Sequence, residues 1–187
     1  FREAWDAVPG ALAWLGALHR GEREIAEGYH GLRVDVNDLT ALTTGMCAAM
    51  TEALLAWKDD AAVRVVVIDH AAGTRGFCSG GDIRMLADSG AGDGALAREF
   101  FFIEYRLNHL LFTYPKPIVA LMDGVTMGGG VGLSMPAPFR IATEKTTFAM
   151  PETCIGRFPD VGGGWHLPRL PGKIGLWLAL TGARIKA

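Results

Sequence analysis

Basic residues are sparse and scattered: 18 Lys and Arg stand against 20 Asp and Glu, for a net charge of −2. No run of them is long enough to track a phosphate backbone, which argues against nucleic-acid binding. Long apolar runs are missing as well. None reaches the roughly 18–20 residues that a membrane-spanning helix needs, so no membrane partner is expected. Cysteine is scarce: Cys47, Cys78 and Cys154 are odd in number and far apart. That fits neither a disulfide framework nor a zinc cage, and points to a reducing, cytoplasmic setting. The histidines (His19, His30, His70, His109, His166) keep no ligand spacing such as H-E-x-x-H, so no metal is expected.

What the chain does have is apolar residues, half of its 187, and 25 glycines. That is enough to bury the core of one domain and too little for two full-sized ones. In residues 1–30, Trp5, Leu12, Leu15 and Leu18 recur at roughly helical spacing, interrupted at Pro9-Gly10, which predicts one or two amphipathic helices. Residues 40–58 predict a clearer helix with Met46, Met50, Leu54 and Trp57 as its buried stripe. RVVVIDH (64–70) and IVALMDG (118–124) read as buried strands, and 95–113 as a helix that stops before Pro115 and Pro117. Residues 139–143 and 146–150 read as two short strands around a Glu144-Lys145 turn. A last helix, 173–182, closes at Gly182. Strands alternating with helices define an α/β chain built from βα repeats.

One event occurs twice: a buried strand leads to a glycine turn, and a helix begins. The turns are Ser79-Gly80-Gly81-Asp82 and Gly128-Gly129-Gly130. Glycine lets a ligand approach the main chain, and a helix N-terminus leaves N–H donors unpaired. Two such turns face to face would make an oxyanion hole, each donor contributing about 2.7–4 kcal/mol in a transition state. Tight helix–strand packing explains either turn alone equally well. Other glycine-loop chemistry fails on spacing. The position three after Gly130 is Leu133, so there is no G-x-G-x-x-G; no Walker lysine follows, and no serine sits in G-x-S-x-G. Cys78 has no assignable histidine to activate it.

Carboxylates are the natural partners of such a hole. In MPETCIGRFPDVGGG (150–164), Glu152 and Asp160 lie among apolar residues. Desolvation and mutual repulsion would raise their pKa values and suit them to acid, base or nucleophile roles. A plainer reading stays open: Glu152 pairs with Arg140 or Arg157, and Asp160 caps the turn at Gly162–Gly164. Glu104, in the apolar FFFIEYRL stretch, reads equally as a solvated helix edge.

Together, GFCSGGDI (76–83), KPIVALMDGVTMGGGVGLS (116–134) and FAMPETCIGRFPDVGGG (148–164) resemble the crotonase (enoyl-CoA hydratase/isomerase) superfamily. The resemblance implies an α/β superhelix of ββα units that binds an acyl-CoA thioester, with CoA as part of the substrate and no separate cofactor. It implies that the amides of Gly81 and Gly129 hold the thioester oxygen. Hydratases of the superfamily carry one catalytic glutamate where this chain has Gly132; the other is retained as Glu152. Asp160 stands where hydratases usually have glycine, which is similar to the hydrolase branch, whose substrate is 3-hydroxyisobutyryl-CoA of valine catabolism. Glu152 would then activate water or attack the carbonyl, Asp160 would bind the substrate hydroxyl or water, and Glu104 would line the acyl end. Two alternatives stand beside this: a hydratase or isomerase, and a catalytically silent acyl-CoA-binding domain.

The resemblance covers residues 39–187 and sets apart 1–38 as a divergent segment, with RVDVNDLTAL (33–42) where the superfamily has a CoA-holding motif. It also implies C-terminal helices, largely absent here, that cover the acyl pocket and build oligomer contacts. An apolar face left by their loss is expected to drive self-association into a homo-oligomer. A eukaryotic source would place the protein in the mitochondrial matrix rather than the cytoplasm.

Overall fold

The computed structural model describes residues 29–34, 41–71 and 73–187. The helices expected in 1–30 lie outside them up to residue 28, residues 29 and 30 being strand, and the segment boundary expected at 38–39 lies outside them too. Tyr29–Val34, inside the expected divergent segment, is a strand, β1.

Four strands form a parallel sheet in the order β1, β3 (Val65–His70), β5 (Ile118–Met122) and β7 (Phe139–Ala142). Val65 to Ile68 are buried without alternation, as expected of a parallel strand covered on both faces. The register pairs Val66 with Ile118 and Val119 with Phe139. After each of these strands the chain turns into a short strand of a smaller sheet. β2 (Ala41–Leu42) pairs with β4 (Gly80–Gly81), in parallel. β6 (Val125–Met127) pairs in parallel with β8 (Thr147–Ala149), which pairs antiparallel with β9 (Arg184–Lys186). Each pair of strands is followed by helix, so the chain winds as successive ββα units.

Helix α1 (Thr44–Lys58) is capped by Thr43, whose side chain accepts from the Met46 amide at 3.2 Å. It buries Cys47, Met50 and Leu54, with Met46 and Trp57 half-buried at the edge of the stripe. Helix α2 (Ile83–Ala91) starts from Asp82, whose carboxylate accepts from the amides of Arg84 and Met85. Helix α3 (Ala95–Phe112) buries Phe100, Glu104, Leu107, Asn108 and Leu111, a face with two polar residues set into it. A short α4 (Gly129–Ser134) follows the second glycine turn, and a 3₁₀ helix (Pro151–Ile155) follows β8. Beyond them come α5 (Gly163–His166) and α6 (Ile174–Thr181), the latter closed by Gly182 in the left-handed conformation. The main core gathers Leu54, Ile68, Phe77, Phe100, Leu107 and Leu133; a second cluster joins Val131, Met150, Val161, Leu167 and Leu178. Among the described residues no helix is long and apolar enough to cross a membrane.

The two short strands expected around Glu144-Lys145 both form, but they belong to different sheets: β7 pairs with β5, and β8 with β6 and β9. The corner between them is tied. Thr143 donates its hydroxyl to Asp123 at 2.5 Å, and Thr146 accepts from the Thr143 amide at 2.8 Å while donating to the Met122 carbonyl.

Candidate active site

The twin glycine turns face one another. A methyl group built on Gly129 would stand 3.4 Å from the Gly80 Cα, 3.5 Å from the Gly81 nitrogen and 2.6 Å from Glu104 Oε1. The Glu104 carboxyl therefore lies directly over Gly129, in a place only glycine leaves open. Gly81 is covered in turn by the Phe100 ring, whose Cζ would be 2.8 Å from an added Cβ. β4 and the start of α4 carry the two turns, so the pairing of β2 with β4 and the start of α4 after β6 fix their separation.

Between the turns and the 3₁₀ helix lies a cavity of about 260 Å³, lined by Gly81, Glu104, Gly129, Glu152, Arg157 and Asp160 among others. All five residues singled out in the sequence thus border one space. Glu152 sits in the first turn of the 3₁₀ helix, held by Pro151 before it and by the Arg157 amide, which donates to its carbonyl at 2.9 Å. Its side chain is buried: Oε1 faces Gly128, 3.1 Å from where a Cβ there would be, and Oε2 has no hydrogen-bond partner among the described residues. Burial raises its pKa to about 7, with Asp160 adding to the rise and a backbone amide and Arg157 opposing it. Burial likewise raises Glu104 to about 8, Asp160 and Glu152 pushing the same way and Arg157 against. Among the described residues no cluster of three His, Cys, Asp or Glu is suited to a metal ion.

Asp160 is held differently. Tyr105 donates its hydroxyl to Oδ2 at 2.7 Å, and Arg157 donates from Nη2 to the same oxygen at 2.7 Å. Both donors rest on one ring: the Arg157 guanidinium lies 4.6 Å above Phe101, and Tyr105 stacks on it at 5.6 Å. Burial and the bond to Asp160 push the Tyr105 phenol well above its ordinary range. The plainer readings of these carboxylates divide accordingly. Arg157 does pair, but with Asp160; Arg140 gives its hydrogen bonds to the carbonyls of Met135 and Ala137. Asp160 contributes to the following turn through its carbonyl, which accepts from the Gly163 amide, and keeps its carboxylate for the cavity. Glu104 is no solvated edge: it is 2% exposed.

Sequence reasoning missed Tyr105 and missed Arg157 as a partner of Asp160. The signal was present: Arg157 lies three residues before Asp160, and Tyr105 directly follows Glu104 on α3. Gly132 is closed to any side chain. A Cβ there would be 2.5 Å from the Val161 Cβ and 3.0 Å from Asn108 Nδ2, which donates to the Gly132 carbonyl.

A winding of ββα units around two facing glycine turns defines a crotonase-type fold, and the matches agree. Residues 35–187 match the family model described as enoyl-CoA hydratase/isomerase, and the chain belongs to that family. The chain is 55% identical over 148 residues to the mitochondrial 3-hydroxyisobutyryl-CoA hydrolase of Xenopus tropicalis, covering 79% of this chain and 38% of the relative. It is 50% identical over 149 residues to the small ribosomal subunit protein mS47 of Neurospora crassa, covering 78% of this chain and 29% of that protein. Among solved structures, a carnitinyl-CoA dehydratase from Mycobacterium thermoresistibile superposes with a TM-score of 0.80 at 47% identity, over 87% of this chain and 48% of the other. The chain thus spans well under half the length of the curated relatives it matches.

Proposed function

We infer that this chain carries the thioester-cleaving site of an acyl-CoA hydrolase acting on 3-hydroxyisobutyryl-CoA. The observation that carries this reading is the buried, unpartnered Oε2 of Glu152 beside two facing glycine turns. A carboxylate oxygen left without a donor in a cavity is costly unless something bound there uses it.

In this reading the amides of Gly81 and Gly129 receive the thioester oxygen as it gains charge. Glu152, once ionised, takes a proton from water as the water oxygen bonds to the carbonyl carbon; the tetrahedral adduct then collapses and the C–S bond breaks. The departing thiolate takes up the proton, giving free CoA and the carboxylic acid. Direct attack by Glu152, through a transient anhydride opened by water, gives the same products. Asp160 receives the substrate hydroxyl or the water, and Glu104 lines the acyl end. CoA is part of the substrate, and no further cofactor enters. The 3-hydroxyisobutyryl-CoA substrate and a mitochondrial setting rest on the name of the Xenopus relative rather than on this chain, and that name does not favour the cytoplasmic setting that the cysteine count suggested; a place in valine catabolism is part of this reading.

Hydratase chemistry is the weaker reading, because the room at Gly132 is taken by Val161 and Asn108. A catalytically silent role has one observation in its favour: a relative of comparable identity is named as a ribosomal protein. Free-thiol release from (S)-3-hydroxyisobutyryl-CoA, followed beside crotonyl-CoA absorbance, separates the three. Thiol release alone supports the hydrolase; loss of crotonyl-CoA absorbance supports a hydratase. Silence on both, with CoA-ester binding intact, supports the silent domain.

A further inference from the structure

A second and larger cavity, of about 490 Å³, lies behind Asp160. Its walls are mainly apolar, with Phe112, Pro136, Phe158, Val161 and Trp165 among them. Phe158 is 74% exposed, so this is apolar surface that nothing among the described residues covers. Among the described residues, Asp160 is the only one that borders both this cavity and the candidate active site. Its side chain is only 8% exposed. It is tied from both sides, by Tyr105 from the wall of the larger cavity and by Arg157 from the wall of the smaller.

We propose that Asp160 is the stop that sets acyl length, and that the apolar cavity behind it is room for a longer acyl chain that this residue closes off. The proposal rests on the acyl-CoA reading of the site. A short acyl group bearing a hydroxyl ends against the carboxylate and gives it a donor. An alkyl chain cannot pass without displacing the bonds from Tyr105 and Arg157 and leaving a charge against hydrocarbon. With the carboxylate gone, the path from thioester to cavity becomes continuous and apolar, and each further buried methylene favours binding by about fourfold. Specificity for a small hydroxylated acyl group then comes from excluding longer chains as much as from binding the short one.

The test compares the affinities of butyryl-CoA and decanoyl-CoA by titration calorimetry, in the native chain, Asp160→Ala, Tyr105→Phe and Asp160→Ala/Gly164→Phe. Gly164 lines the larger cavity, and a Cβ placed on it meets nothing within 4 Å, so a bulky side chain can be introduced there to take up room beside the acyl path. The native chain should bind decanoyl-CoA more weakly than butyryl-CoA. Asp160→Ala should shift the ratio toward decanoyl-CoA by about tenfold or more, Tyr105→Phe should shift it the same way by less, and the double variant should return it to near the native value. A ratio unchanged in both Asp160→Ala and Tyr105→Phe overturns the proposal, including the case in which a second copy or another protein segment occupies the groove. A tenfold gain that survives Gly164→Phe overturns it too. Should no variant bind any CoA ester, the reading of the site itself fails and the proposal with it; butyryl-CoA binding with a flat ratio removes the proposal alone.

Discussion

Val161 occupies the space in which a side chain at residue 132 would have to stand, its Cβ 2.5 Å from the one that any residue but glycine would bring. Val161 itself has φ +45°, a conformation β-branched residues rarely adopt. Gly132→Glu should therefore cost about 1–3 kcal/mol of stability and confer no crotonyl-CoA hydration. Adding Val161→Gly should recover part of that loss, since it removes both the collision and the strained valine. Denaturant titration of the native protein and the two variants checks this; a Gly132→Glu protein as stable as the native one would mean that the space at residue 132 is open.

Glu152 must be ionised to act on water, and its raised pKa of about 7 puts that ionisation in the neutral range. The rate of thiol release should climb between about pH 6 and 8 and then level off. Arg157 favours the ionised form, so Arg157→Gln should move the climbing limb to higher pH. Glu152→Gln should lower kcat by about 10²–10⁴-fold while leaving ester binding nearly intact. A flat profile across this range would remove Glu152 as the base.

Glu104 carries a testable sign in stability. Its pKa rises from the ordinary 4.5 to about 8 on folding, so the folded state holds the proton more tightly. The contribution is full below about pH 4.5 and is lost as pH rises through about 8. Glu104→Gln cannot lose it, so the variant's melting temperature should gain on the native protein's between about pH 5 and pH 9. Equal differences at both ends would mean that Glu104 is not buried as described.

The cysteines divide by exposure. Cys47 and Cys78 are buried, and burial pushes the Cys78 thiol up to about 12 and Cys47 higher still; Cys154 is exposed. A thiol reagent near neutral pH should label one site in the native chain, mapped by mass spectrometry to Cys154, and all three after denaturation. Rapid labelling of Cys78 without denaturation would mean that the first glycine turn opens in solution.

Long apolar or periodic stretches were legible in the sequence, because burial writes itself directly into composition. Residues 64–70 and 118–124 are strands within two residues of their expected ends, and 95–113 is a helix to within one. β4, β6 and β9 were not legible: strands of two or three residues carry too little pattern, and their pairing is decided by where larger elements bring them. Glycines at 81 and 129 marked the facing turns because a side chain there would run into Phe100 and Glu104. The ties on Asp160 were hidden, since Tyr105 reaches it across 55 residues of sequence and no local spacing records that. Burial of Glu104 was equally ambiguous: FFFIEYRL is apolar on every side, so periodicity alone could not say which face turned inward.

The tied corner between β7 and β8 bears on how Glu152 keeps its aim. β8 passes through Met150 straight into the helical turn that carries Glu152, with no slack loop between. The Thr143–Asp123 and Thr146–Met122 bonds fasten the approach to β8 onto the end of β5, which leads through β6, the neighbour of β8, to the glycine turn of Gly129. Base and oxyanion donor are thus mounted on a common bracket rather than on two independent arms, so a jolt that displaces one carries the other along with it.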